Sequence, residues 1–247
     1  MEGFTRALAR KKGRKALAGG KVRLWNIPRG WAHQGFFYLD RTQQAGRVIL
    51  EIVPTVTIVW LVSAISGLPF SNVWLWSAGL FISHTLNWVF NCNWWAGMLF
   101  TFPGLRNPGE RATCDYLDKM AERLKNDRAI SGVMVFGSVS RGQWHDRSDL
   151  DMRLLRRRGV RNGIAGVLVL LRERVIALWA RQPLDVYLAD GIPFLKRMRE
   201  DEPPVFLKKD DPRLDQVYPR GRETRIETLR MSRENVTVAA VAAEGAF

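Results

Sequence analysis

Asp149 and Asp151 stand one residue apart at the head of an apolar run, and Gly137-Ser138 closes an earlier run, "GVMVF". Side chains on an extended strand alternate between faces, so the two aspartates share a face and can hold a hard cation together. Mg2+ takes oxygen ligands and commonly bridges one or two carboxylates to substrate phosphates. Gly137 permits a tight turn and a close approach of backbone to a ligand. Ser138 adds an amide and a hydroxyl at a helix start, a favourable place for phosphate. A third carboxylate, Asp185, begins the run "LDVYLA". Three aspartates with a phosphate-cradling turn make a two-metal site for phosphoryl or nucleotidyl transfer. The reaction would be in-line attack of an acceptor hydroxyl on an α-phosphate, with pyrophosphate leaving.

The flanking pattern supplies elements to position these groups. Leu117, Met120, Ala121 and Leu124 recur at helical spacing and predict an amphipathic helix over 113–127. Strands are expected at 132–136, from Leu150 through Leu155, and at 184–189, with a helix over 163–180 between the last two. The order is helix, strand, helix start, strand, helix, strand, which gives an α/β fold: a small mixed sheet with backing helices. The breakers in "PGLRNPGER" mark a link into this domain, expected to span 106–219. The tail, 220–247, has no clear periodicity and is expected to be disordered.

Upstream, the charge pattern changes. The chain of 247 residues carries 38 Lys and Arg against 24 Asp and Glu, a net +14, yet none of the basic residues falls between Arg47 and Arg106. Within that interval "VILEIVPTVTIVWLVSAISGL", 48–68, is long enough to cross a bilayer core, which takes about 20 apolar residues. The stretch 73–102 is longer and more polar, with His84, Asn87, Asn91 and Asn93, so a tilt or a break near Asn91-Cys92-Asn93 is expected. Trp74, Trp76, Trp94 and Trp95 suit the membrane boundaries. Glu51 and Pro54 give some support to the alternative of a hairpin buried in a soluble core. Basic flanks and an uncharged link, "SGLPFSN", predict a transmembrane hairpin with both ends, and the downstream domain, in the cytoplasm. The basic segment 1–47 then faces anionic lipid, each Lys or Arg contributing about 1 kcal/mol. That accounts for much of the charge without nucleic acid as partner. Cys92 and Cys114, on these assignments, do not form a disulfide framework.

The stretch "GSVSRGQWHDRSDLD", Gly137 to Asp151, resembles the signature of the DNA polymerase beta-like nucleotidyltransferase superfamily. Its minimal and aminoglycoside-type members also carry Arg-Gly after Gly-Ser, here Arg141-Gly142, and Ser before the first aspartate, here Ser148. The resemblance covers about 113–190 and leaves out the hairpin. It implies that Gly137 and Ser138 bind the β- and γ-phosphates and that Asp149 and Asp151 ligate Mg2+, with Asp185 as third carboxylate by strand context alone. Arg141 is either a phosphate contact or a surface charge. A Gly-Ser pair alone is an ordinary turn and Asp-Leu-Asp alone a solvated strand end; their joint spacing and the third aspartate favour the site.

The expected activity is transfer of an NMP from an NTP, with ATP favoured by the resemblance, to a hydroxyl acceptor that is lipid-linked, protein or small molecule. The alternative is a non-enzymatic nucleotide-binding regulatory module, like the antitoxin-type partners of the superfamily, held at the membrane. A template-dependent polymerase needs nucleic-acid-binding modules for which little chain is left.

Overall fold

The computed structural model describes residues 26–91, 105–141, 144–145, 147–196, 203–219 and 222–223. The basic stretch 1–25, the expected break beyond Asn91 with Trp94 and Trp95, Gly142 and nearly all of the tail lie outside them.

Helix α1 (Asn26–His33) and one 3-10 turn (Phe36–Tyr38) lead into α2 (Arg41–Ser66), which is followed by α3 (Val73–Asn91). The downstream domain runs α4 (Glu110–Lys125), β1 (Ile130–Val135), α5 (Gly137–Ser140), β2 (Leu150–Arg156), α6 (Val160–Trp179), β3 (Leu184–Ala189), α7 (Ile192–Leu195), β4 (Val205–Lys209), α8 (Arg213–Val217) and β5 (Arg222–Glu223). The sheet order is β3-β2-β1-β4-β5. β1 is antiparallel to both β2 and β4, while β2 and β3 run parallel around the α6 crossover, so the sheet is mixed as expected.

Two apolar layers hold the sheet. On one face Tyr116, Leu117, Met120 and Leu124 of α4, and Val169, Leu170 and Ala177 of α6, pack on Val133, Val135, Met152, Leu154, Val186 and Leu188. On the other, Met134, Phe136 and Phe206 meet Phe194, Leu195, Leu214 and Tyr218 from α7 and α8. Glu173 is fully buried in the first layer, held by Arg123 Nη2 at 2.6 Å and Arg172 Nη2 at 2.9 Å. A buried charge is tolerated only when paired in this way.

The helical pair inverts the usual arrangement of a water-soluble helix. The residues of α2 buried against its neighbours are Gln43, Gly46, Arg47, Thr55 and Val59, and those of α3 are Leu75, Gly79, Ser83, Asn87 and Asn91, mostly one turn apart. Between the helices Glu51 accepts from Asn87 Nδ2 at 2.8 Å and pairs with His84 Nδ1 at 2.7 Å. Thus His84 and Glu51, read from sequence as blemishes in two apolar spans, form one partly buried polar seam. The outward residues are apolar: Ile49, Ile52, Val53, Trp60 and Ile65 on α2, Trp74, Phe81 and Leu86 on α3.

Helix α2 begins at Arg41, ahead of the apolar stretch expected from 48, so Arg47 belongs to the helix: its guanidinium donates to Gln34 O and, at 3.0 Å, to Asn91 O. The expectation of two spans is met in part. Among the described residues only α2 is long and apolar enough to cross a membrane. The polar side chains of α3 that build the seam are what lower its hydropathy.

The pair is also no detached appendage. Gly46 sits so close to α6 that a Cβ there would lie 2.8 Å from Val167 Cγ1. Gln43 Oε1 accepts the Leu188 N–H of edge strand β3 at 3.0 Å. Arg174 of α6 bonds Asn91 on one side and donates to Val186 O at 2.7 Å on the other.

Candidate functional site

The Gly-Ser turn follows β1 directly. Phe136 N–H donates to Asp151 O at 2.9 Å, extending the β1–β2 pairing by one step before the chain turns. Gly137 then takes φ +74°, a region that L side chains enter at a cost. Its Cα faces the first strand aspartate so closely that an added Cβ would lie 2.5 Å from Asp151 Oδ2. Both constraints require glycine. One turn of helix follows, with the Ser140 hydroxyl donating to Gly137 O at 3.0 Å and Arg141, exposed, at its C-terminal end.

Ser138 is the informative residue of this turn. Its hydroxyl is shielded from solvent and has no hydrogen-bond partner among the described residues. Buried hydroxyls are nearly always paired, so an orphan beside a left-handed glycine and a carboxylate points to a polar ligand.

Three aspartates approach the same end of the sheet. Asp151 and Asp185 are register partners across the parallel β2–β3 ladder, and Asp149 precedes β2 by one residue. All three are partly buried. Burial, and then the Asp185 charge, hold the Asp149 carboxyl above the usual aspartate value. Among the described residues no group of three or more His, Cys, Asp and Glu side chains is drawn together as a metal cage. The donor set nevertheless suits Mg2+: carboxylates, with Asp151 and Asp185 in register on adjacent strands.

The loop carrying the site is pinned from outside. Asn107 Nδ2 donates to His145 O at 2.9 Å and to Ser148 O at 3.1 Å, while Ser148 Oγ accepts the His145 N–H at 3.0 Å. Ser148 is therefore a loop staple that fixes where Asp149 leaves for β2. His145 is exposed and belongs to this staple through its backbone.

Two neighbours escaped the sequence analysis. Arg153 and Tyr187 are register partners two residues beyond Asp151 and Asp185, on the same face, with the guanidinium 4.4 Å from the ring centroid. Burial, then the Asp185 charge, push the Tyr187 phenol up to about 12. The same period-two argument that paired the aspartates could have found both.

No protein-family model matches this chain, and no curated protein matches it.

Proposed function

We propose that this chain is a membrane-anchored, Mg2+-dependent nucleotidyltransferase that moves an NMP from an NTP to a hydroxyl-bearing acceptor. The observation carrying the reading is the orphaned Ser138 hydroxyl in a turn whose glycine is pressed against Asp151. A buried donor without a partner costs about 1–3 kcal/mol, a cost that a bound phosphate oxygen removes.

In this reading the Gly137-Ser138 turn holds the β- and γ-phosphates, and Asp149, Asp151 and Asp185 hold Mg2+. The metal, when bound, neutralises triphosphate charge. Asp185 orients the acceptor hydroxyl and takes its proton as the oxygen attacks the α-phosphate. The Arg153 guanidinium, stacked on Tyr187, keeps positive charge beside the carboxylates. Arg141, exposed at the end of the same turn, is the candidate phosphate contact.

The anchor is a two-span hairpin, α2 and α3, with both ends and the catalytic domain cytoplasmic. Its polar seam and apolar outer wall support this, since ionisable groups in membranes face the helix bundle and pair with one another. The acceptor, by its placement near a bilayer, is most readily a lipid-linked or membrane-protein hydroxyl. Purified protein incubated with each labelled NTP and Mg2+, with and without native membranes, tests the activity. Transfer of label identifies the acceptor class, whereas Mg-NTP binding without transfer would leave a nucleotide-binding module.

A further inference from the structure

Helix α6 packs the sheet with one side and the hairpin with another, and a third side is covered by neither. Gly163 and Val167 meet Thr42 and Gly46 of α2, and Arg174 meets Asn91 of α3. Gly166, Val169, Leu170, Glu173 and Ala177 face the sheet side. The remaining stripe is Val160, Ile164, Leu168, Val175 and Trp179, exposed by 82, 61, 61, 38 and 84%. At about 100° per residue these five fall on one continuous strip that begins beside the hairpin-facing residues. Exposed Arg161 and Arg172 border the strip on its far side, and exposed Arg158 and Arg181 flank the helix ends.

We infer that α6 is an interfacial helix, lying along the anionic cytoplasmic leaflet with this strip in the headgroup–acyl boundary. Three observations select lipid as its occupant. First, the strip continues the apolar outer wall of the hairpin. α6 meets α2 at Thr42 and Gly46, and the lipid-type exposure of α2 starts immediately above, at Val48 and Ile49. Second, an apolar strip with an arginine border is the composition of helices that lie in the interface plane. Third, Trp179 ends the strip, where an indole gains from sitting between acyl chains and water. The consequence is orientation: α6 backs β2 and β3, so fixing α6 in the leaflet fixes which way the site end of the sheet faces.

The inference rests on α2 crossing the bilayer, and is independent of the nucleotidyl-transfer chemistry. It is tested with full-length protein in phosphatidylcholine–phosphatidylglycerol vesicles. Single cysteines replace Ile52, Ile164, Leu168 or Asp215 in a C92S/C114S background and carry an environment-sensitive fluorophore. Quenchers are iodide in water and lipids brominated near the headgroup or near the chain end. Expected are deep-lipid quenching at position 52, blue-shifted emission with headgroup-level quenching and loss of iodide quenching at both 164 and 168, and iodide quenching alone at 215. Deep quenching at 52 with iodide quenching at 164 and 168 overturns the inference while leaving the span intact. Shielding at 164 and 168 from both iodide and lipid indicates a protein partner and also overturns it. Iodide quenching at 52 removes the span and the inference together.

Discussion

Asp40 and Asp190 clasp each other's segments. Asp40 Oδ2 accepts the Asp190 N–H at 2.7 Å, and Asp190 Oδ2 accepts the N–H of Thr42 at 3.0 Å, in the first turn of α2. Asp190 Oδ1 also takes Arg156 Nε at 2.6 Å. Helix α2 thus finds an acceptor for an otherwise orphaned N–H on the far side of the sequence, at the exit of β3.

This clasp has a pH signature. Burial alone raises the Asp190 pKa, but the hydrogen bonds from Thr42 and Arg156 outweigh it and the net direction is down. A depressed acid stabilises the fold above its unfolded pKa and loses that contribution as pH falls through the folded value. Asp190→Asn is expected to lower the Tm at neutral pH, with the difference shrinking on acidification below the ordinary aspartate range. A difference that stays constant down to strongly acidic pH, in paired thermal scans, rules out the charge as its source.

Gly137→Ala is expected to cost about 1–2 kcal/mol from the backbone alone. Contact of the new methyl with Asp151 adds to this, and Mg-NTP binding should be lost. Titration calorimetry beside a melting curve checks both, and unchanged nucleotide affinity would exclude this turn as the phosphate cradle.

Asp149→Asn and Asp151→Asn should each nearly abolish transfer with the fold intact, since each removes negative charge from a site that must hold a divalent cation. Asp149 carries a further, opposite sign. Its pKa is raised, so ionising it disfavours the fold at all pH values above its folded pKa. Asp149→Asn should therefore stabilise the nucleotide-free protein at neutral pH, a gain that vanishes below the ordinary aspartate range. Comparable turnover in either variant would favour the non-enzymatic module.

Asp185→Ala is expected to lose transfer while retaining most of the affinity for Mg-NTP. The decisive measurement is single-turnover label transfer alongside equilibrium NTP binding. Equal loss of both would make Asp185 a nucleotide-holding group and not the acceptor's base.

Cysteines placed in the 67–72 link should react with an impermeant maleimide on intact cells, and cysteines near Glu110 only after permeabilisation. The reverse pattern would invert the proposed hairpin and carry the downstream domain to the other side.

Much of the domain was legible because its elements obey local periods. The burial alternation along β2 and β3 carried Asp151 and Asp185 to one face, and the run Leu184–Ala189 coincides with β3. β4 was not legible. Its sequence Val-Phe-Leu-Lys-Lys lacks clean alternation because Lys208 is buried, its ammonium donating to Leu124 O at 3.1 Å and Asp127 O at 2.8 Å. The start of α2 was missed for a related reason. Gln43 and Arg47 look like the end of a basic segment until their partners are known, and Leu188 lies far beyond any local window. Period and spacing report what a residue does for its own element; polar groups satisfied by distant backbone carry no such mark.

The bond from Leu188 to Gln43 spans 145 residues, and the ribosome delivers its acceptor first. By the time β3 emerges, α2 has already been synthesised. The exposed N–H of an edge strand is a template for wrong pairings until something covers it. Here the cover precedes the strand in the chain, so the last steps of sheet assembly have a surface to close upon. A domain translated without the helical pair would lack this cover and emerge with the β3 edge open to other chains.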